Sequence, residues 1–93
     1  MSQFLVRVEL HSATYSDYET LHAQMRRSGF TQTISSDNGI TYHLPTAEYY
    51  YAGNVSRASI LDSAKAAAVT THKSAGVIVA EATGLTWSGL TRQ

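Results

Sequence analysis

The stretch FTQTISSDNGITYHL, Phe30 to Leu44, holds two alternating runs around a turn, and its reading decides the fold. Phe30, Gln32 and Ile34 share one side, while Thr31, Thr33 and Ser35 share the other. A period of two with β-branched residues is the pattern of a half-buried strand. Asp37-Asn38-Gly39 follows, a strong turn signal because asparagine and glycine tolerate positive φ. Ile40, Tyr42 and Leu44 then alternate with Thr41 and His43. The segment predicts a hairpin made of the second and third strands. Pro45 lacks the amide that a ladder needs, so it ends the third strand or marks an edge or bulge. The Glu48-Tyr49-Tyr50-Tyr51 run reads as a continuation beyond that interruption.

Upstream of the hairpin lies a helix. Ser16 and Glu19 have the spacing of a capping box, in which two orphan amides are satisfied. Tyr18, Leu21 and Met25 recur at helical spacing with His22 on the flank. Gly29 is placed to act as a left-handed cap. Before the helix, Gln3 to His11 is the first strand, with Phe4, Val6, Val8 and Leu10 on one face and Leu5, Arg7, Glu9 and His11 on the other. Downstream, Gly53-Asn54 breaks the chain, and a second helix is expected from about Val55 to His72. Its stripe of Ile60, Leu61, Ala64, Ala67 and Ala68 is small enough to lie close to a sheet. Val77 to Thr83 is the last strand, between Gly76 and Gly84. The closing segment, residues 85–93, carries Trp87 and Leu90 and is expected to dock on this domain or on a second copy.

Strand, helix, strand, strand, helix, strand is the split β-α-β order. The expected class is therefore α+β: a single ferredoxin-like domain over residues 1–93. It would be a βαββαβ sandwich with a four-stranded antiparallel sheet and two helices on one face. Right-handed crossovers would place the first and third strands in the centre, with the last strand outside the first and the second outside the third.

Composition narrows the classes of function. Of 93 residues, 43% are hydrophobic and 15% charged, which suits a globular chain. The absence of cysteine removes disulfides, thiol nucleophiles and cysteine-held zinc, and it points to the cytoplasm. The longest apolar stretch, Ala75 to Ala82, is far below the roughly 20 residues of a membrane span, so no membrane contact is expected. No leader pattern precedes the first strand. Seven basic and seven acidic side chains leave no net charge, whereas broad electrostatic binding of nucleic acid needs a basic excess.

If the helices cover the Phe4 face, the opposite face gathers Arg7, Glu9, His11 and His43 on what would be neighbouring central strands. Two histidines, a carboxylate and a guanidinium make a candidate acid–base site; the plainer alternative is a solvated face with cross-strand charge pairs. The last strand is ambiguous, and Glu81 joins the open face only if Ala80 and Ala82 face the helix. No exposed aromatic is expected on the two central strands, which argues against a conventional RNA-recognition motif. His11, His22, His43 and His72 show no short pair spacing, so neither metal nor another cofactor is expected. Arg26 and Arg27 suit the negative end of the helix dipole, with phosphate binding as the alternative. The tyrosine run reads as edge or interface packing, with base stacking as the alternative.

The strings Val6-Arg7-Val8-Glu9-Leu10-His11, Gly29-Phe30, Leu44-Pro45-Thr46-Ala47-Glu48-Tyr49 and Trp87-Ser88-Gly89-Leu90 span nearly the whole chain. In this order they resemble the GhoS-like family, antitoxins of type V toxin–antitoxin systems. The resemblance implies a ferredoxin-like fold similar to the small CRISPR-associated nucleases. It also implies a sequence-selective endoribonuclease that cleaves the single-stranded messenger RNA of a membrane-active toxin. Glu9 stands about where the family has an aspartate near the end of the first strand. The family's arginines in the middle of the first helix are replaced here by Thr20-Leu21-His22-Ala23, with Arg26 and Arg27 one turn later as the candidates for RNA binding. Metal-free cleavage would use His11 and His43 as base and acid, Arg7 as the cation on the phosphorane, and Glu9 to orient a histidine. The competing reading is a non-catalytic module that forms a homodimer through the open sheet face, the tyrosine run or the C-terminal tail.

Overall fold

A computed structural model describes residues 2–93. Its elements are β1 (Ser2–Leu10), α1 (Tyr15–Arg27), β2 (Thr33–Ser35), β3 (Thr41–His43), β4 (Glu48–Gly53), α2 (Arg57–Val69) and β5 (Ala75–Ala82). The class is α+β with antiparallel sheets and two helices. The strands form two sheets, one of three strands in the order β4-β1-β5 and one made of the β2-β3 hairpin. A single four-stranded sheet is not what the chain builds.

The expected third strand is where the reading departs from the structure. The Tyr42 arm does not reach β1; the run after Pro45 is an independent strand, and it takes the central place instead. β4 pairs with β1 from Ser2↔Gly53 to Arg7↔Glu48. Between the arms the chain turns on a bond from the Glu48 amide to the Pro45 carbonyl, with Ala47 at φ +64. Burial explains the exchange. Tyr49 is fully buried in the core and Tyr51 packs against Phe30 at 5.3 Å between ring centroids, whereas Ile40, Tyr42 and Leu44 stay only partly covered. One aromatic side chain fully removed from water, with a second packed against the core, outweighs what the Tyr42 arm would bury in that position. The hairpin is tied to the outer edge of β4 through Thr31 and Tyr50, which exchange two backbone bonds of 2.9 and 2.8 Å.

The helices form one layer against the Phe4 face of β1. Phe4, Val6, Val8 and Leu10 make a common core with Leu21 and Met25 of α1, Ile60, Ala64, Ala67 and Ala68 of α2, and Phe30 and Tyr49. The cap of α1 is two residues earlier than the Ser16–Glu19 spacing predicts: Thr14 Oγ1 accepts from the Asp17 amide while Asp17 accepts from the Thr14 amide. Thr14 wins because Ser12, at φ +53, turns the chain immediately after β1. At the other end the reading holds. Gly29 has φ +92, and its amide and that of Phe30 bond back to Arg26 and Met25, the Schellman arrangement. A Cβ on Gly29 would also come within 3.2 Å of the Tyr51 ring.

β5 resolves the ambiguity of the last strand. Its register with β1, Val6↔Val79 and Phe4↔Glu81, puts Val77, Val79 and Glu81 on the helix side and Ile78, Ala80 and Ala82 on the open side. Glu81 therefore does not join the open face; it sits 3.7 Å from Arg57 of α2.

Inside the core, His22 Nδ1 and the Tyr49 hydroxyl share a hydrogen bond of 2.6 Å. Burial holds the His22 imidazole below its ordinary value, and burial pushes the Tyr49 phenol above its own. The folded chain thus prefers both groups neutral. Below about pH 6.5 the unfolded chain gains the His22 proton first, so stability falls on acidification; above about pH 10 the unfolded chain loses the Tyr49 proton first, so stability falls again. Urea midpoints should be flat between those limits and decline between pH 6.5 and 5. His22→Gln should remove most of that acid decline, and an unchanged decline would locate its cause elsewhere.

Candidate functional site

The face of the three-stranded sheet opposite the helices carries Gln3, Leu5, Arg7 and Glu9 from β1, since alternate side chains of a strand share a face. Cross-strand neighbours add Glu48 and Tyr50 from β4 and Ile78 and Ala80 from β5. Arg7 and Glu48, directly opposite, are 3.6 Å apart as an ion pair with Arg7 well exposed. Such a surface pair is weak, so the guanidinium is free to turn to an incoming anion. The Tyr50 hydroxyl donates to Gln3 Oε1 at 2.8 Å. An aromatic ring therefore does lie on this face beside β1, contrary to the sequence expectation, because β4 and not β3 is the neighbour of β1.

The expected acid–base pair is not assembled. His11 lies just past β1, exposed, with its amide bonded to Ser74 beside the start of β5. His43 lies in β3, and its amide bonds to Thr91. β4 stands between β1 and the hairpin, which separates the two imidazoles. Arg7, Glu9 and, past the end of the strand, His11 remain at alternate positions, Glu9 opposite Gly76. On α1, Arg26 Nη1 bonds to Gln32 Oε1 at 3.3 Å and Arg27 is exposed. Among the described residues no cluster of three or more histidine, cysteine or acidic side chains has the placement to hold a metal ion, and no helix is long and apolar enough to cross a membrane.

Matched against protein families, residues 1–92 fit the family described as Endoribonuclease GhoS. The chain belongs to the GhoS family. Comparison with curated proteins returned no match. Membership supports, in general terms, an endoribonuclease antitoxin of a toxin–antitoxin pair, and it agrees with the resemblance carried by the four strings.

A second feature of this GhoS-family chain was not legible in its sequence. An open groove of about 1020 Å³ lies between the outer edge of β4, the hairpin and the C-terminal segment. The tail lays itself beside β3: the amides of His43 and Gln93 bond to Thr91 and Thr41. Trp87 meets Tyr42 edge-on at 5.6 Å. Tyr42, Tyr50, Tyr51 and Trp87 line the groove together with hydroxyl-bearing residues. The tyrosine run is thus divided: Tyr49 to the core, Tyr50 to the open face and groove, Tyr51 against Phe30. Docking of the tail was expected from its apolar residues, but its meeting with Tyr42 depends on where the tail lies in three dimensions.

Proposed function

We propose that this GhoS-family chain is an antitoxin that cleaves the messenger RNA of its toxin in the cytoplasm, and that it does so on the open face of β1. The match of residues 1–92 to an endoribonuclease family is the observation that carries the reading. β4 stands between β1 and the hairpin that carries His43, so this reading uses Arg7 and Glu9 on β1 with His11 just past its end. Alternate strand positions are about 6.6 Å apart, close to the reach needed around one phosphate. Glu9 takes the proton of the 2′-hydroxyl as the 2′-oxygen bonds to phosphorus. The bond from phosphorus to the 5′-oxygen breaks, and His11 in its protonated form gives the leaving oxygen a proton. Arg7 leaves Glu48 and donates to the non-bridging oxygens, which carry most charge in the phosphorane.

This chemistry produces 2′,3′-cyclic phosphate ends and needs no metal. Purified protein incubated with a toxin transcript should yield fragments with such ends, at equal rates with and without chelator. Fragments ending in 5′-phosphate, or cleavage stopped by chelator, would overturn the mechanism; an intact transcript would overturn the function.

A further inference from the structure

We infer that the groove between β4, the hairpin and the C-terminal segment is a binding site for unpaired RNA bases, held by stacking on Tyr50, Tyr42 and Trp87. This rests on the reading of the chain as a protein that acts on RNA, and it adds a site separate from the Arg7–Glu9–His11 row. Three features select the occupant.

The first is the pairing of rings with hydroxyls. The rings of Tyr50, Tyr42 and Trp87 line the groove, and Thr33, Thr83 and Thr86 add hydroxyls that make no other hydrogen bond among the described residues. A nucleobase has that same character, an aromatic face with polar edges. The second is charge. Among the described residues Asp37 is the one charged residue lining the groove, so they offer nothing inside it to hold a run of phosphates. A duplex, whose bases are hidden and whose phosphates face outward, has nothing to grip there. Bases unstacked from a single strand do.

The third is Arg92. It pairs with Tyr42 in an antiparallel bridge, so it lies next to a ring that lines the groove while standing outside the lining itself. Arg92 is exposed and has no ion-pair partner among the described residues. It supplies one cation next to the stacking ring, enough for one phosphate. The C-terminal segment therefore completes the site: it brings both Trp87 and Arg92 to β3.

Trp87 is the sole tryptophan of the chain, so its fluorescence reports on this groove alone. Titration with single-stranded hexa-adenylate RNA should quench it saturably, and a stable twelve-pair G–C RNA duplex, whose bases are all hidden, should not. Tyr50→Ala should weaken the hexa-adenylate affinity by about tenfold, within the range for losing one base–aromatic stack. Tyr50→Phe keeps the ring and should retain affinity, which separates stacking from loss of the Gln3 bond. Far-ultraviolet circular dichroism checks that both variants fold. With a single arginine involved, log K should fall against log salt with a slope near about −0.7. Absent quenching, equal quenching by duplex, unchanged affinity in Tyr50→Ala or a slope several times steeper would overturn the inference. Transcript cleavage without Trp87 quenching would leave the enzymatic reading standing and remove this one. Quenching without cleavage would do the reverse.

Discussion

Glu9→Gln should leave the chain folded and slow transcript cleavage by about 10²–10⁴-fold, the usual worth of a positioned proton-transfer group. The side chain is exposed near the end of β1, opposite Gly76, and among the described residues it makes no hydrogen bond or ion pair. Glutamine keeps its size and removes only the capacity to take a proton. His11→Ala should cost a similar factor, because the leaving oxygen then departs without its proton donor. The two losses should not multiply, since both groups serve one displacement. His43→Ala is the internal control. Held in the hairpin beyond β4, it should cleave at the parental rate. Gel analysis of end-labelled transcript under single turnover reads all of these, with thermal melts confirming that each variant is folded. A Glu9→Gln variant that cleaves normally would remove the row from the mechanism, and a His43→Ala variant that fails would return the hairpin to it.

Phe4→Ala should lower the free energy of unfolding by about 3–5 kcal/mol. Phe4 is fully buried in the middle of β1, between Tyr51 and Glu81 in register, with the helix layer against it. Truncation removes a ring from a close-packed interior and leaves a cavity that two helices and a central strand cannot collapse into. A chain of this size has about 5–15 kcal/mol in all, so this one change takes a large part of it. Urea unfolding followed by circular dichroism should show the midpoint falling while the slope stays constant. Leu5→Ala offers the contrast. Leu5 lies one residue on but on the half-covered open face, so its loss should cost well under half as much. Equal losses at both positions would mean that the open face is buried in solution.

How far these features could be read in advance differs by element. β1, α1 and α2 were legible because each declares its buried face in its own periodicity: Phe4-Val6-Val8-Leu10, Leu21-Met25, and Ile60-Ala64-Ala67-Ala68 are all buried. The Gly29 cap was legible for the same local reason. The neighbour of β1 was not. Both candidates, the Tyr42 arm and the Tyr49 run, alternate acceptably, and the choice depends on which fits against helices that lie elsewhere in the chain. β5 was unreadable because both of its sides are apolar, and only its register with β1 separates Val77 and Val79 from Ala80 and Ala82. The site follows from these two uncertainties. Arg7, Glu9 and His11 were on one face from the alternation of a single strand. The partnership of His11 with His43 required the wrong neighbour.

The hairpin of residues 30–44 marks the division. Its turn and two arms were dictated by the residues themselves, since alternation and the positive φ open to Gly39 act over a few positions. So, through the four short strings, was the family; the order of elements was read one strand short, because β4 stands apart from β3. Where the hairpin goes was decided only in three dimensions. Tyr49 is fully buried against the helix layer while Tyr42 is only partly covered, so β4 takes the centre, and the hairpin is left at the edge, where the tail brings Trp87 and Arg92 beside it. Local pattern depends on a strand's own side chains; placement depends on competition between segments for the same buried surface, and no single segment contains that comparison.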